Sequence, residues 1–83
     1  MNIIFTKHFL SRARERNINS NLVSRCILKP DLLISTPPNR YRSVNYFKKD
    51  NRQYLLVVIF DRVDNNIVVV TAFITSKIDK YLK

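Results

Sequence analysis

The clearest structural pattern in the chain lies at Tyr54–Ile74, with the sequence YLLVVIFDRVDNNIVVVTAFI. Two runs rich in aromatic and β-branched residues flank a polar break, Asp61–Asn66. Residues of the first kind fit the pleated, buried surface of a strand, and Asp and Asn tolerate the left-handed backbone of a tight turn. The pattern therefore predicts a β-hairpin at the centre of a sheet. Because neither run alternates strictly between apolar and polar residues, both faces of this hairpin need a cover.

Hydrophobic periodicity and capping residues divide the rest of the chain into short elements. They are a strand at residues 2–5, helices at 7–17 and 20–29, a short strand or an extended segment at 31–35, a strand at 40–48 and a basic tail with a helical turn or two at 75–83. Thr6 is a suitable N-cap for the first helix, and Pro30 cannot continue the second. The expected fold class is α+β: one domain over residues 1–83, with an N-terminal helical hairpin packed on one face of a three- to four-stranded antiparallel sheet.

Pairing the predicted strands through their turns sorts their residues into two faces. The mostly aliphatic face is expected to lie against the helices, and it comprises Val44, Tyr46, Leu55, Val57, Ile59, Val68, Val70, Ala72 and Ile74. The other face mixes polar and aromatic groups, and it comprises Tyr41, Ser43, Asn45, Phe47, Tyr54, Leu56, Phe60, Thr71 and Phe73. This second face is expected to stay uncovered within the chain, and so to meet RNA, a protein partner or a second copy of the chain. A register shift of one residue exchanges the two assignments.

The charge is strongly basic: fifteen Lys and Arg stand against six Asp and Glu, a net charge of +9 on 83 residues. Small basic domains usually meet nucleic acid, an anionic membrane surface or an acidic protein, although solubility alone is an alternative reading. No run of 18 apolar residues is present, and Lys7 and His8 interrupt the apolar start. A membrane span and a signal peptide are therefore not expected, and the predicted location is the cytoplasm.

Several kinds of site are excluded by what the chain lacks. It contains no glycine, so a glycine-rich phosphate loop is ruled out. The single cysteine, Cys26, excludes an internal disulfide and a zinc site built on paired cysteines, and its apolar neighbours predict a buried core position. No two acids form an obvious catalytic pair, and Glu15 lies among arginines. Neither a metal nor a cofactor is expected.

What remains is a metal-free site built from a base and cations. Cleavage of RNA through its own 2′-OH needs a base for the hydroxyl proton, cations near the phosphorane and an acid for the leaving oxygen. His8, Arg12 and Arg16 stand at i, i+4 and i+8, so they share one side of the first predicted helix. We expect His8 to act as base or acid and the two arginines to bind phosphate. The alternative is a structural histidine beside a solvated helix face.

Two further groups complete the predicted site. Lys77 and Tyr81, in the tail after the last strand, are expected to support catalysis, unless the tail serves only to solubilise the chain. The remaining cations are expected to bind RNA: Arg14, Arg42, Lys48, Lys49, Arg52 and Lys80. The aromatic sheet face offers a surface on which bases can stack, although such surfaces more often form core or protein interface.

Two stretches carry a family resemblance. The first is FTKHFLSRARERNI at residues 5–18, followed by LKPD at 28–31, and the second is IVVVTAFITSK at 67–77, followed by Lys80 and Tyr81. Together they resemble a small domain family of uncertain function, numbered 4258 among such domains. This family looks related to the BrnT-like and RelE-like toxin ribonucleases of toxin–antitoxin pairs. The resemblance covers nearly the whole chain.

The resemblance implies a RelE-like fold, cleavage of mRNA and an antitoxin that covers the toxin. His8, Arg12 and Arg16 match the helix motif H-x-x-x-R-x-x-x-R of the family, and its last-strand motif is matched by Thr71, Thr75 and Lys77. The chain departs from the family by having Asn17 where a glycine commonly follows the helix arginine. Since Asn tolerates a left-handed backbone, the fold is compatible with this change.

The leading hypothesis is therefore the toxin component of a type II toxin–antitoxin system, a metal-independent endoribonuclease that cleaves mRNA. Its expected partners are RNA and a cognate acidic antitoxin, with a homodimer as another way to cover the sheet. The first alternative is a basic nucleic-acid-binding module without catalysis. The second is a protein-interaction domain that docks through the aromatic face.

Overall fold

A computed structural model describes residues 2–81 of the chain, and in this part five strands form a single sheet accompanied by three helices. In chain order the elements are β1 (Asn2–Phe5), α1 (Lys7–Glu15), α2 (Ser20–Leu28), β2 (Leu32–Thr36), β3 (Arg40–Lys49), β4 (Arg52–Val63), β5 (Asn66–Thr75) and α3 (Ile78–Tyr81). No helix in the described part is long and apolar enough to cross a membrane. The last two residues of the predicted tail, Leu82 and Lys83, lie outside the described residues.

The central hairpin is present and consists of β4 and β5, which pair in antiparallel register from Val63 with Asn66 to Leu55 with Thr75. Its turn places Asp64 at a φ of 57°. The turn between β3 and β4 places Asp50 and Asn51 at positive φ as well. Asp and Asn occupy such left-handed positions more readily than other residues with a Cβ, and for this reason a chain without glycine can still make two-residue hairpin turns.

The predicted fold class is wrong in three respects. The sheet has five strands in the order β1-β5-β4-β3-β2, and it is mixed rather than antiparallel, because β1 pairs with β5 in parallel. The strand predicted at residues 2–5 is present as this edge strand, but the two helices that follow it do not form the predicted helical hairpin. The two N-terminal helices pack on the sheet at different places, α1 over β5 and α2 over β4 and β3. Each helix buries its apolar stripe on a strand, so the pair does not form a unit that packs as an αα-hairpin.

The predicted cover of the sheet is also wrong. Strands β3 and β4 sort as expected, with Tyr41 opposite Phe60 and Val44 opposite Val57. The face that carries Tyr41, Phe47, Leu56 and Phe60, however, is the one packed against α1 and α2, and we call it the helical face. Phe60 is buried there, and Tyr41 and Phe47 pack against the same cluster, so these aromatic groups form part of the core and do not require RNA or a partner to cover them.

A β-bulge in β5 explains part of this error. Ile59 pairs with Thr71 and Phe60 pairs with Val69, so Val70 is an extra residue in the ladder. Beyond such a bulge, the alternation of side chains along a strand changes parity. Both Val69 and Ala72 can therefore be buried under the helices although they are three residues apart.

The core consists of two clusters on the two sides of the sheet. On the helical face, α1 and α2 contribute Phe9, Ala13, Val23, Cys26 and Ile27. The second cluster, on what we call the opposite face, joins Val44, Leu55 and Val57 to Ile78 and Tyr81 of α3. The buried core position predicted for Cys26 is confirmed, and its side chain is fully buried.

Local capping sets the ends of the helices that carry the candidate site. The Thr6 hydroxyl accepts a hydrogen bond from Phe9 N–H at 3.1 Å and begins α1. At the other end Asn17 takes a φ of 56°, and Ile18 N–H donates to Ala13 O at 2.8 Å. This is the Schellman arrangement, with Asn17 where glycine is usual. The Asn19 side chain caps α2 by accepting from Asn21 N–H at 2.7 Å.

Candidate nucleic-acid interface

The His8–Arg12–Arg16 row lies along one side of α1. Phe9 and Ala13 point into the core, and His8 and Arg12 are exposed beside this buried stripe. Within residues 2–81 the His8 imidazole forms no hydrogen bond or ion pair, and His8 is exposed to solvent. Successive members of the row are about 6 Å apart along the helix axis, since four residues rise by that distance. A phosphodiester can therefore approach the imidazole and a guanidinium together.

Arg16 has a structural contact that the sequence does not predict. Its Nη1 donates to Ala72 O at 2.9 Å and lies 3.4 Å from Thr71 Oγ1, so the end of α1 is attached to β5. Strand β1 pairs with β5 only as far as Val69, and within the described residues no strand continues along that edge. Arg16 thus meets β5 where its edge is open. The two stretches that carry the family resemblance come together at this contact.

Arg12 is bound more weakly. Its Nη1 lies 3.7 Å from Glu15 Oε2 on the next turn of α1, and both side chains are at least half exposed. Exposed pairs at this spacing contribute only a few tenths of a kcal/mol, about 0.3–0.5. A phosphate can therefore displace Glu15 at little cost, and Arg12 is available for a ligand.

The tail residues lie apart from the row. The Tyr81 ring packs edge-on against Phe73 with centroids 5.2 Å apart, and it belongs to the cluster on the opposite face. Lys80 Nζ lies 5.5 Å above the Tyr81 ring. Lys77 is exposed, and its backbone N–H donates to Thr75 Oγ1. The sheet therefore separates Tyr81 from His8, and the predicted catalytic set does not assemble as one cluster.

The predicted RNA-binding cations divide between several surfaces. Lys49 and Arg52 are both exposed and pair directly across the β3–β4 turn. The same side of the sheet carries the stacked rings of Phe47 and Tyr54, whose centroids are 5.6 Å apart. The other predicted cations are more scattered: Lys48 pairs with Gln53 on the opposite face, Arg42 is half-buried on that face, and Arg14 is exposed on α1. The end of the sheet at the β3–β4 turn thus combines exposed cations with stacked aromatic rings.

Beside this end lies a cavity of about 490 Å³ whose polar residues were not predicted as a site. Arg25 and Lys29 of the α2 end line it together with Asp31 and Asn45. The signal available in the sequence was the i, i+4 spacing of the two cations, which places them on one side of a helix. Asp31 and Asn45 are fourteen residues apart, and only strand pairing brings them together.

The described residues bring neither a group of metal ligands nor a reactive thiol to this interface. Within residues 2–81 no three His, Cys, Asp or Glu side chains are grouped so that they could hold a metal ion. Burial, with a smaller effect from the charge of Asp31, raises the pKa of the Cys26 thiol to about 12. The thiol therefore stays protonated near neutral pH and cannot act as a nucleophile.

Comparison with known proteins finds a family match. A family model described as "Domain of unknown function (DUF4258)" matches residues 5–74, which include the whole His8–Arg12–Arg16 row and most of β5. No curated protein and no solved structure matches the chain.

Proposed function

The chain belongs to the DUF4258 family, and we propose that it is a metal-independent endoribonuclease that cleaves RNA through the 2′-OH of the RNA itself. We further propose a relation in activity to the BrnT-like and RelE-like toxin ribonucleases, as the toxin of a type II toxin–antitoxin pair. This part of the proposal rests on the residues of the row and not on the fold, because the sheet differs from the one that the resemblance implied.

The observation that carries the proposal is the exposed imidazole of His8 beside two arginines on a strongly basic chain. A neutral imidazole can remove the proton of a 2′-OH, and its protonated form can return a proton to the leaving 5′-oxygen. Arg12, held only by an exposed ion pair, supplies charge to the phosphorane. Arg16 holds α1 against β5 through Ala72 O and keeps the row in place. The net charge of +9 attracts the polyanion.

The test is cleavage of a labelled RNA by purified chain in the presence of EDTA, with wild type compared with His8→Ala. Loss of acid–base catalysis is expected to slow cleavage by roughly 100-fold or more. Ser11→Ala is the matched control, since Ser11 is exposed on the same helix but lies outside the row. RNA that stays intact with wild type, or cleavage that His8→Ala leaves unchanged, would remove the proposal.

The partner in this proposal is an acidic antitoxin protein. The strongly basic charge of the chain supports it, because an acidic protein complements that charge. The test is inducible expression of the chain with and without a short acidic protein encoded beside it. Growth arrest that the acidic protein relieves, with co-purification of the two, is the expected result. Arrest that persists with the neighbour present contradicts this pairing.

A second candidate function is nucleic-acid binding without cleavage. The separation of Tyr81 from His8 by the sheet favours it, because a predicted partner in catalysis is then missing from the row. This function predicts that log Kd for RNA changes linearly with log salt concentration and that His8→Ala has no effect on binding. Binding of this kind with intact RNA would decide for the second function over the first.

A further inference from the structure

The cavity beside the end of α2 has the composition of a site for a small anionic ligand with a flat apolar part. Its volume of about 490 Å³ lies within the range of pockets that bury small molecules. The apolar part of its lining consists of Ile18, Leu22, Phe47, Leu56 and Ile74. Arg25 and Lys29, both exposed, bring two positive charges to the same cavity.

Two side chains in this lining are held in defined orientations. Asp31 N–H donates to Asn45 Oδ1 at 2.8 Å, and Tyr46 N–H donates to Asp31 Oδ2 at 2.9 Å. Because the amide oxygen of Asn45 accepts a hydrogen bond, its Nδ2 is the end left to donate. Within residues 2–81 neither Asn45 Nδ2 nor Asp31 Oδ1 has a hydrogen-bond partner, and Asp31 forms no ion pair there.

Asn45 and Asp31 thus bring an amide donor and a carboxylate acceptor to the lining of the cavity, and the hydrogen bond between Asp31 N–H and Asn45 Oδ1 holds the two residues together. The Watson–Crick edge of guanine has the complementary groups: O6 accepts, and N1–H and N2–H donate. A carboxylate can take both donors of guanine at once, and such charge-assisted bidentate bonds are strong. Adenine and cytosine offer it one amino group, and uracil offers it one imide N–H. An unpaired base can be read on this edge when its strand is single.

From this complementarity we propose that the cavity binds a guanine nucleotide of single-stranded RNA. Asp31 accepts from N1–H and N2–H, and Asn45 Nδ2 donates to O6. The apolar lining packs against the base, and Arg25 and Lys29 bind its phosphate.

This inference rests on the RNA part of the proposed function and adds a base preference to it. Asn17 and Ile18 line the cavity and directly follow Arg16 in the chain, so the cavity adjoins the end of the His8–Arg12–Arg16 row. An RNA strand with its guanine in the cavity can continue along α1 toward His8. Cleavage is then expected close to a guanine.

The test measures binding without cleavage, so it does not depend on the activity. The chain is titrated with GMP, AMP, CMP and UMP and followed by heteronuclear NMR. GMP is expected to bind at least about tenfold more tightly than each of the others, since a bidentate pair discriminates between bases by about that factor or more. The shifted amide signals are expected at the cavity residues.

The decisive variant is Asp31→Asn, which keeps an oxygen for Tyr46 N–H but loses the charge that binds two donors. It is expected to abolish the preference for GMP, whereas Asp79→Asn, the same change at an exposed position on α3, is expected to leave it intact. Lys29→Ala is expected to weaken all four nucleotides to a similar extent. Equal binding of the four nucleotides, no binding, or a preference that survives Asp31→Asn would each overturn the inference.

The outcomes also separate this inference from the proposed function. A preference for GMP in a chain that leaves RNA intact removes the ribonuclease and keeps the guanine site. Cleavage of RNA by a chain that shows no base preference keeps the ribonuclease and removes the guanine site.

Discussion

Replacement of Arg16 by alanine tests whether this residue of the candidate site also stabilises the fold. Its guanidinium donates to Ala72 O at 2.9 Å and lies 3.4 Å from Thr71 Oγ1. Hydrogen bonds from charged donors contribute about 1.5–3 kcal/mol. Since Arg16 is exposed and the bond is only partly buried, we expect Arg16→Ala to lower the free energy of unfolding by about 1 kcal/mol.

Arg12→Ala is the matched control, because it removes the same side chain and the same charge from the same helix segment. Arg12 loses only its exposed contact with Glu15 at 3.7 Å, and the expected cost is below about 0.5 kcal/mol. The measurement is urea unfolding followed by circular dichroism. A domain of this size has an m value of about 1 kcal/mol per molar urea, so Arg16→Ala should lower the midpoint by about 1 M and Arg12→Ala by less than half of that.

Equal midpoints for the two variants would show that the contact between Arg16 and Ala72 does not stabilise the chain, and the structural role given to Arg16 would then be wrong. The stability of Arg16→Ala also determines what a loss of RNA cleavage in this variant means. If Arg16→Ala unfolds more easily, a loss of RNA cleavage in that variant reports a displaced α1 and not a lost phosphate contact. Arg12→Ala then becomes the informative variant for phosphate binding.

Four further predictions concern the core and the charges. Phe9→Ala, at a fully buried site, should cost about 3–5 kcal/mol and leave the chain largely unfolded in a thermal melt, because small domains have only about 5 kcal/mol in total. Ser43→Ala should keep the free energy of unfolding or raise it by up to about 1 kcal/mol in urea unfolding, because the buried Ser43 hydroxyl has no hydrogen-bond partner within residues 2–81. Hydrogen bonds from Arg40 lower the pKa of the Asp61 carboxyl in the folded chain. The stability that this pair provides is therefore present above the unfolded-state pKa of about 4, and it is lost as the pH falls through the lowered pKa of the folded state. In unfolding titrations at several acidic pH values, the free energy of unfolding should therefore depend less on pH for Asp61→Asn than for wild type. The same pH dependence in both would show that the pair of Arg40 and Asp61 does not stabilise the fold. The Cys26 thiol, with its pKa raised to about 12, should react with a thiol reagent at about pH 8 only after denaturant is added, and rapid reaction of the folded chain would show that it is not buried.

The ends of the elements could be predicted because local chemistry sets them. Thr6 and Asn19 cap their helices through their own side chains, and Asn17 and Asp64 adopt left-handed backbone where a glycine would be usual. Each of these features depends on a few neighbouring residues. The prediction of a buried Cys26 succeeded for a similar reason, since helical spacing places it on the apolar stripe of α2.

The candidate site was predicted only where it lies on one helix. His8 and Arg12 share a side of α1 because helical spacing requires it. The cavity that joins Arg25 to Asp31 and Asn45 could not be found in this way, because α2, β2 and β3 contribute to it from separate parts of the chain. The separation of Tyr81 from His8 likewise depends on which side of the sheet the tail packs.

The Tyr54–Ile74 hairpin, the helices before it and the basic character of the surface could be predicted, since each follows from local propensity or from composition. The tertiary structure alone decided which sheet face the helices cover, that β1 joins β5 in parallel, and that Val70 forms a bulge. The physical reason is that a strand presents alternate residues to its two faces, so both faces of this apolar hairpin looked equally suitable for burial. Only the packing of α1 and α2, and the extra residue in β5, distinguish between them.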